Sequence, residues 1–398
     1  MDAVLTLILI LAVLAISIGM LTTTGLYISG VRTAPAAPKG ANGLDYDALS
    51  GQRQTMGNSP TTPITTPMYK FSIATANYGG ILTEDMATTL APGWTGTVSE
   101  EAIHLQIAAG ARAIVLDIWP DPANRKNAVV CSMRNTESKG LSMFSKGLGD
   151  YSNWCVRTRN KVAVASIVNA AVKAGLTNSP PNPDPLFIIL RLHGAMTKEY
   201  LDTLGNQLKP IVSGLQMNSQ YMKLSGAAGL TTLFSAPFSA FAGCACIIAS
   251  PDVQTAFPVI DSAAGPTTPI TATLDRSVMY SKFTAAYQRS SLWDITNYLE
   301  TAPGEFTVGT DYVQSAQAPQ DSSGFHMALA KLVQPSIGGT RNDNKAPDAY
   351  NTIRLSDCLA KGIMFPAINL LSPLANDPAV QDYFAPKVFD VKSFVQKE

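Results

Sequence analysis

Short apolar runs alternate with amphipathic stretches along most of the chain. Residues 113–119 hold six apolar residues around one carboxylate, Asp117. The run is too short for a helix and too apolar for a surface strand, so it reads as a strand buried on both faces. A carboxylate there is costly unless it is paired or lies at the strand's carboxyl end, where α/β folds place their chemistry. Residues 69–74, 128–133, 185–192, 244–249 and 363–371 read as further strands. Thr97 or Ser99 caps a helix to about Gly110, with Glu100 and Glu101 in the first turn, where the helix dipole favours them. Val164, Ile167, Val168, Ala171 and Val172 have helical spacing within residues 161–174. Thr197 caps a helix with Tyr200, Leu201, Leu204, Leu208, Ile211 and Leu215 on one face. Repeated βα units over roughly 300 residues predict an α/β fold, a (β/α)8 TIM-type barrel, with an open doubly wound sheet as the alternative. No GxGxxG or P-loop opens a helix, which counts against a nucleotide-binding sheet. Residues 256–335 show no clear period.

The two ends read differently. Residues 3–31 carry no charge and exceed the ~20 residues that span a bilayer, predicting a transmembrane helix within residues 1–31. A signal peptide would place a basic residue ahead of a shorter apolar region, and only Asp2 precedes this one. Arg32 and Lys39 follow the span. The positive-inside rule then puts the amino terminus outside or in a lumen and the C-terminal bulk in the cytoplasm. Residues 32–68 hold Pro35, Pro38, Pro60, Pro63 and Pro67 and no apolar period, which reads as a linker. Fully extended it reaches roughly 120 Å. The barrel is expected over residues 69–375 and a tail over 376–398.

Composition narrows the function. Of 398 residues, 29 are basic and 29 acidic, and no basic patch stands out, so nucleic acid is excluded as a partner. Charged residues are only 15% of the chain, which suits a protein held at a membrane or in an assembly. The odd set Cys131, Cys155, Cys244, Cys246 and Cys358 implies no disulfide framework. A CxC pair with only three histidines does not make a zinc site, so buried thiols are expected. There is no GxSxG nucleophile elbow and no HExxH, and Trp94, Trp119, Trp154 and Trp293 form no stacking series.

Several stretches nevertheless fall into a known order. Ser99-Glu100-Glu101-Ala102 through Gly110-Ala111-Arg112-Ala113-Ile114-Val115-Leu116-Asp117-Ile118-Trp119 resembles the X-box of phosphoinositide-specific phospholipase C, with its G-C-R-x-x-E-L-D-x-W pattern. Pro185 through Leu192 resembles that family's later strand, Pro237 through Ile248 its next, and Gly362 through Asn369 its last. The resemblance runs through residues 70–373. It implies a TIM-type barrel that cleaves inositol-lipid phosphodiesters with calcium and two histidines.

The departures bear on activity. Where the family has its first catalytic histidine and an asparagine, this chain has Ala76 and Asn77. Val115 stands for the glutamate of E-L-D, Ser132 falls at the second histidine, and His193 falls at the last acidic calcium ligand. On this alignment only Asn77 and Asp117 remain of four calcium ligands, too few for the 6–8 oxygens calcium takes. Ala76 and Ser132 cannot move a proton near neutral pH.

Asp117 then needs another partner. Arg191 and His193 share one face of their strand, and Arg191 is expected to ion-pair with Asp117 at the barrel mouth. The candidate ligand-binding set is Asn77, Asp117, Arg191 and His193; Asp117, Arg191 and His193 are the candidate catalytic residues, and Asn77 and Asp117 the candidate metal ligands. His104 is expected to be an outward or packed residue of the first helix, His326 to sit on a helix within residues 325–333, and Tyr78 to pack at a strand end.

These readings predict a membrane-anchored, phospholipase C-like barrel without turnover or cofactor. It would link the bilayer to neighbouring proteins of an assembly, a membrane-containing virion being one setting. The alternatives are an active phosphodiesterase acting on phospholipid head groups, with calcium, and an inositol-phosphate binder.

Overall fold

The computed structural model describes residues 54–57, 61–78, 98–131, 133–135, 154–156, 160–178, 181–195, 197–257, 283–299, 325–329, 351, 353–370, 377–386 and 388–397. The transmembrane span expected within residues 1–31 and the residue at the second histidine position, Ser132, lie outside them. Among the described residues no helix is long and apolar enough to cross a membrane.

The strands are β1 (Phe71–Ile73), β2 (Thr75–Asn77), β3 (Ala113–Pro120), β4 (Ala128–Val130), β5 (Met133–Asn135), β6 (Trp154–Val156), β7 (Val162–Ala163), β8 (Leu186–Ala195), β9 (Ala245–Phe257), β10 (Asn297–Tyr298), β11 (Met327–Leu329), β12 (Phe365–Ile368) and β13 (Phe394–Gln396). The α-helices are α1 (Glu100–Ala108), α2 (Val164–Val172), α3 (Lys198–Val212), α4 (Gly226–Phe234), α5 (Leu355–Ala360) and α6 (Pro378–Tyr383). The main sheet runs β10-β9-β8-β3-β2-β12-β11, and every neighbouring pair along that path is parallel.

The sheet curls strongly. Phe187 on β8 and Phe365 on β12 are three strand spacings apart, roughly 14 Å in a flat sheet. Their rings instead meet edge to face at 5.6 Å. Strand alternation then fills two layers. Val115, Phe187, Ile189, Ile248, Phe365, Ala367 and Leu329 pack inside the curl. Ile114, Leu116, Ile188, Leu190 and Ile247 face outward against Ile103 of α1, Ile167 and Val168 of α2 and Leu201, Leu204 and Leu208 of α3. This is a mixed α/β fold with a parallel sheet of TIM-barrel type.

Helix starts follow the capping rules. Ser99 Oγ accepts from Ala102 N–H at 3.1 Å, and Thr197 Oγ1 accepts from Tyr200 N–H at 3.1 Å. Tyr78 packs at the end of β2, where its hydroxyl accepts from Ser99 N–H and donates to Ser99 C=O, fixing the entry to α1. His104 is exposed on α1. Cys131, Cys246 and Cys358 are buried free thiols.

Five sequence-based expectations change. The strand expected at residues 69–74 divides: β1 pairs with β13 in a separate antiparallel sheet, and β2 joins the main sheet. The strand expected at 128–133 shortens to β4 and pairs antiparallel with the end of β3, so it forms a hairpin and not a barrel stave. His326 leads into a strand, β11, not a helix; a short apolar run does not distinguish the two. The linker expected over 32–68 is seated on the domain at its described end: Met56 N–H donates to Asp184 Oδ1 at 3.0 Å and Met68 is fully buried. The tail expected over 376–398 is folded, with Tyr383, Phe389 and Phe394 buried. These two segments together close the amino-terminal end of the strands. There Phe238 meets Phe71 at 5.6 Å and Phe394 at 5.1 Å.

Candidate functional site

The opposite, carboxyl-terminal end of the sheet holds the charged cluster. Residues 113, 115 and 117 of β3 alternate onto the inner face, as do 187, 189, 191 and 193 of β8. Register places Asp117 directly beside Arg191. The lower positions are apolar and fill the core, while the upper ones are Asp117, Arg191 and His193.

The three side chains meet at one atom. Arg191 Nη1 donates to Asp117 Oδ1 at 2.8 Å, and His193 Nε2 lies 2.9 Å from the same oxygen. The pairing of Asp117 with Arg191 expected from strand alternation is therefore present. Side-chain exposure is 19% for Asp117, 15% for Arg191 and 6% for His193. Burial alone would push the Asp117 carboxyl up; the Arg191 charge and the His193 hydrogen bond outweigh it and hold the group at about 2. Asp117 is thus a permanent anion at neutral pH.

Trp119, the next inner position of β3, stacks on His193 with ring centroids 4.4 Å apart and planes 7° apart. Trp119 also packs with Val129 and Cys131. The indole fixes the imidazole plane while the carboxylate fixes its tilt. Sequence reasoning set Trp119 aside as one of four scattered tryptophans. The signal that finds it is the period of two running from Ala113 through Asp117 to Trp119. Cys131 does not add a nucleophile: burial first, then the Asp117 charge, pushes its thiol up to about 12.

Asn77 ends β2 on the inner face, in register with Val115 and two positions below Asp117 on the neighbouring strand. Its neighbour Ala76 faces the other way, in the cluster with Ala109, Ala111 and Ile368. The structure therefore brings Asp117, Arg191 and His193 into contact and leaves Asn77 on the same face, one strand over and two positions lower.

These residues do not fit the calcium that the sequence resemblance implies. Oδ1 of Asp117 already serves two donors, the residue at the expected last acidic ligand is an imidazole, and the Arg191 guanidinium would repel a dication at contact distance. Among the described residues no group of three His, Cys, Asp or Glu side chains gathers as a metal site. What the cluster can do is hold a fixed anion against a guanidinium, with one imidazole oriented by that anion.

No protein-family model and no curated protein sequence matches the chain. Solved structures similar to it include PLC21 of S. officinalis, with a TM-score of 0.43, 12% identity, and coverage of 81% of this chain and 35% of that one. A calcium-dependent phosphoinositol-specific phospholipase C from Pseudomonas sp has a TM-score of 0.40 and 11% identity, covering 82% of this chain and 97% of that one. A phosphatidylinositol-specific phospholipase C from Streptomyces antibioticus has a TM-score of 0.36 and 11% identity, covering 78% and 98%. The chain spans about a third of the length of the PLC21 structure it matches.

Proposed function

We propose that the chain is a phospholipase C-like barrel, eight-stranded when closed, that does not turn over phosphodiesters. It serves as a structural module, tethered to a bilayer through residues 3–31 and docked to neighbouring proteins of a membrane-bound assembly such as a membrane-containing virion. The observation that carries this reading is the sharing of Asp117 Oδ1 by Arg191 and His193. Phosphodiester cleavage through an inositol hydroxyl needs a base for that hydroxyl and an acid for the leaving oxygen. Here one imidazole turns a ring nitrogen to a carboxylate, and its ring is covered by Trp119. The positive charge that takes up phosphoryl charge in such chemistry is already neutralised by Asp117.

The second reading, a phosphate-binding or slowly hydrolytic site, is favoured by the residual exposure of Asp117 and Arg191 at the open end of the sheet. The two are separated by assaying the full chain in mixed micelles containing phosphatidylinositol, with and without calcium. The expected result is no hydrolysis above the lipid blank and no difference between wild type and Asp117→Asn. Hydrolysis that Asp117→Asn abolishes would overturn the proposal and place Arg191 and His193 in a working site.

A further inference from the structure

A cavity of about 390 Å³ lies on the outer layer, between α3 and residues 288–294, and no residue of the Asp117 cluster lines it. Its size is at the lower end for small-molecule sites, roughly 300–1,000 Å³. Asp202 and Asn206 line one wall, one turn apart on α3, and Gln288, Arg289, Trp293 and Asp294 line the other. The spacing of the walls is set by Gly205, which brings the backbone of α3 against the backbone of Ser291 and Leu292. Ser291 N–H donates to Asp202 Oδ1 at 2.7 Å across the same contact. Most of the charge in this lining is already paired. The Asp202 carboxylate accepts from Lys198, and Asp294 Oδ1 lies 2.9 Å from Lys223 Nζ. The exposed Arg289 guanidinium makes no ion pair among the described residues, so one cation is left over. The exposed amides of Asn206 and Gln288 likewise have no side-chain hydrogen-bond partner among the described residues. Trp293 is partly buried, its indole held edge to face against Tyr287 at 5.5 Å.

We propose that this cavity binds an acidic saccharide, a uronic acid unit with one carboxylate on a pyranose ring. One unpaired guanidinium matches one carboxylate, and its planar fork suits a bidentate pair. A phosphate dianion would be only half neutralised here and would be repelled by Asp202 and Asp294. A cation would find both of those carboxylates already paired. An apolar ligand would cover the polar lining without satisfying it. The amides of Asn206 and Gln288 both donate and accept, as ring hydroxyls do. The indole of Trp293 offers an apolar surface with a negative π-face to the C–H groups of a pyranose ring. The site is separate from the barrel mouth and does not depend on whether phosphodiesters turn over there. A free sugar acid and the end of a glycan chain present the same chemistry.

The test is saturation-transfer NMR on the full-length protein, in a detergent without a sugar head group. Glucuronate should show saturable transfer in the millimolar range. Glucose and acetate, which carry the ring or the acid alone, should each bind at least about tenfold more weakly, as expected for a lost charge-assisted hydrogen bond. Arg289→Gln, a change at an exposed position, should weaken glucuronate by a similar factor and bring it level with glucose. Lys209→Gln, exposed on α3 but outside the cavity, should leave glucuronate binding unchanged. Methyl β-glucuronide binding as well as glucuronate identifies the end of a glycan chain as the source, and weaker binding identifies the free sugar acid. No saturable transfer to glucuronate, glucose binding as tightly as glucuronate, or equal glucuronate affinity in wild type and Arg289→Gln would each overturn the proposal.

Discussion

Replacing Arg191 by methionine is expected to destabilise the folded domain by about 3–5 kcal/mol, because it leaves the Asp117 carboxylate largely buried with its main counter-charge gone. Arg191→Met with Asp117→Asn in the same chain should recover most of that loss, since a neutral amide costs far less to bury than an anion. Urea unfolding of the two single variants and the double variant measures the coupling. A loss below about 1 kcal/mol in Arg191→Met would mean that the pair is worth no more than a surface ion pair. The same pair sets the acid limb of stability. The Asp117 pKa is lowered on folding, to about 2 from an ordinary 3.8. Its contribution, about 2 kcal/mol, is fully present above the unfolded value and is lost as pH falls through the folded one. Wild type should therefore lose stability between about pH 4 and pH 2 more steeply than Asp117→Asn.

Replacing Gly205 by alanine should cost about 3 kcal/mol or more, against the ~1 kcal/mol that alanine gains in helix propensity. A Cβ built on Gly205 would lie 2.2 Å from Leu292 N and 2.4 Å from Ser291 C. Both are backbone atoms, so no side-chain rotation relieves the overlap. The contact is held in place nearby, where Ser291 N–H donates to Asp202 Oδ1 at 2.7 Å. Leu292 and Ile295 are buried against α3 through the same approach. Thermal unfolding of Gly205→Ala at wild-type temperature would show that the 290–295 segment does not sit on that helix.

How much of this was legible in the sequence depended on the range of the interactions. The helices α1 and α3 were legible because Ser99 and Thr197 are local caps and the apolar positions repeat on one face. The strands β3 and β8 were legible because both are long and almost wholly apolar. Their alternation also brought Asp117 and Arg191 onto one inner face. Shorter strands were legible only in part: the runs at 363–371 and 128–133 contain β12 and β4, but β1 and β2 are separated by Ala74 alone and belong to different sheets, a distinction made by their partners β13 and β12. Nothing local to Phe389 or Phe394 shows that they pack on a sheet whose first strand lies some 300 residues earlier, Phe389 on its outer layer and Phe394 against Phe238. The close approach at Gly205 is equally non-local, since one glycine within a helical period reads only as a weak spot. The stack of Trp119 on His193 was available from the alternation already used for Asp117.

The central claim is that Asp117 is held by Arg191 and His193 and is not offered to a metal. Because Trp119 stacks directly on His193, the protein's own tryptophan fluorescence reports on that cluster. The most direct measurement is a calcium titration of the full chain into the millimolar range, followed by this fluorescence, for wild type and Asp117→Asn. No saturable change is expected in either protein. A saturable one-to-one change in wild type that is lost in Asp117→Asn would contradict it.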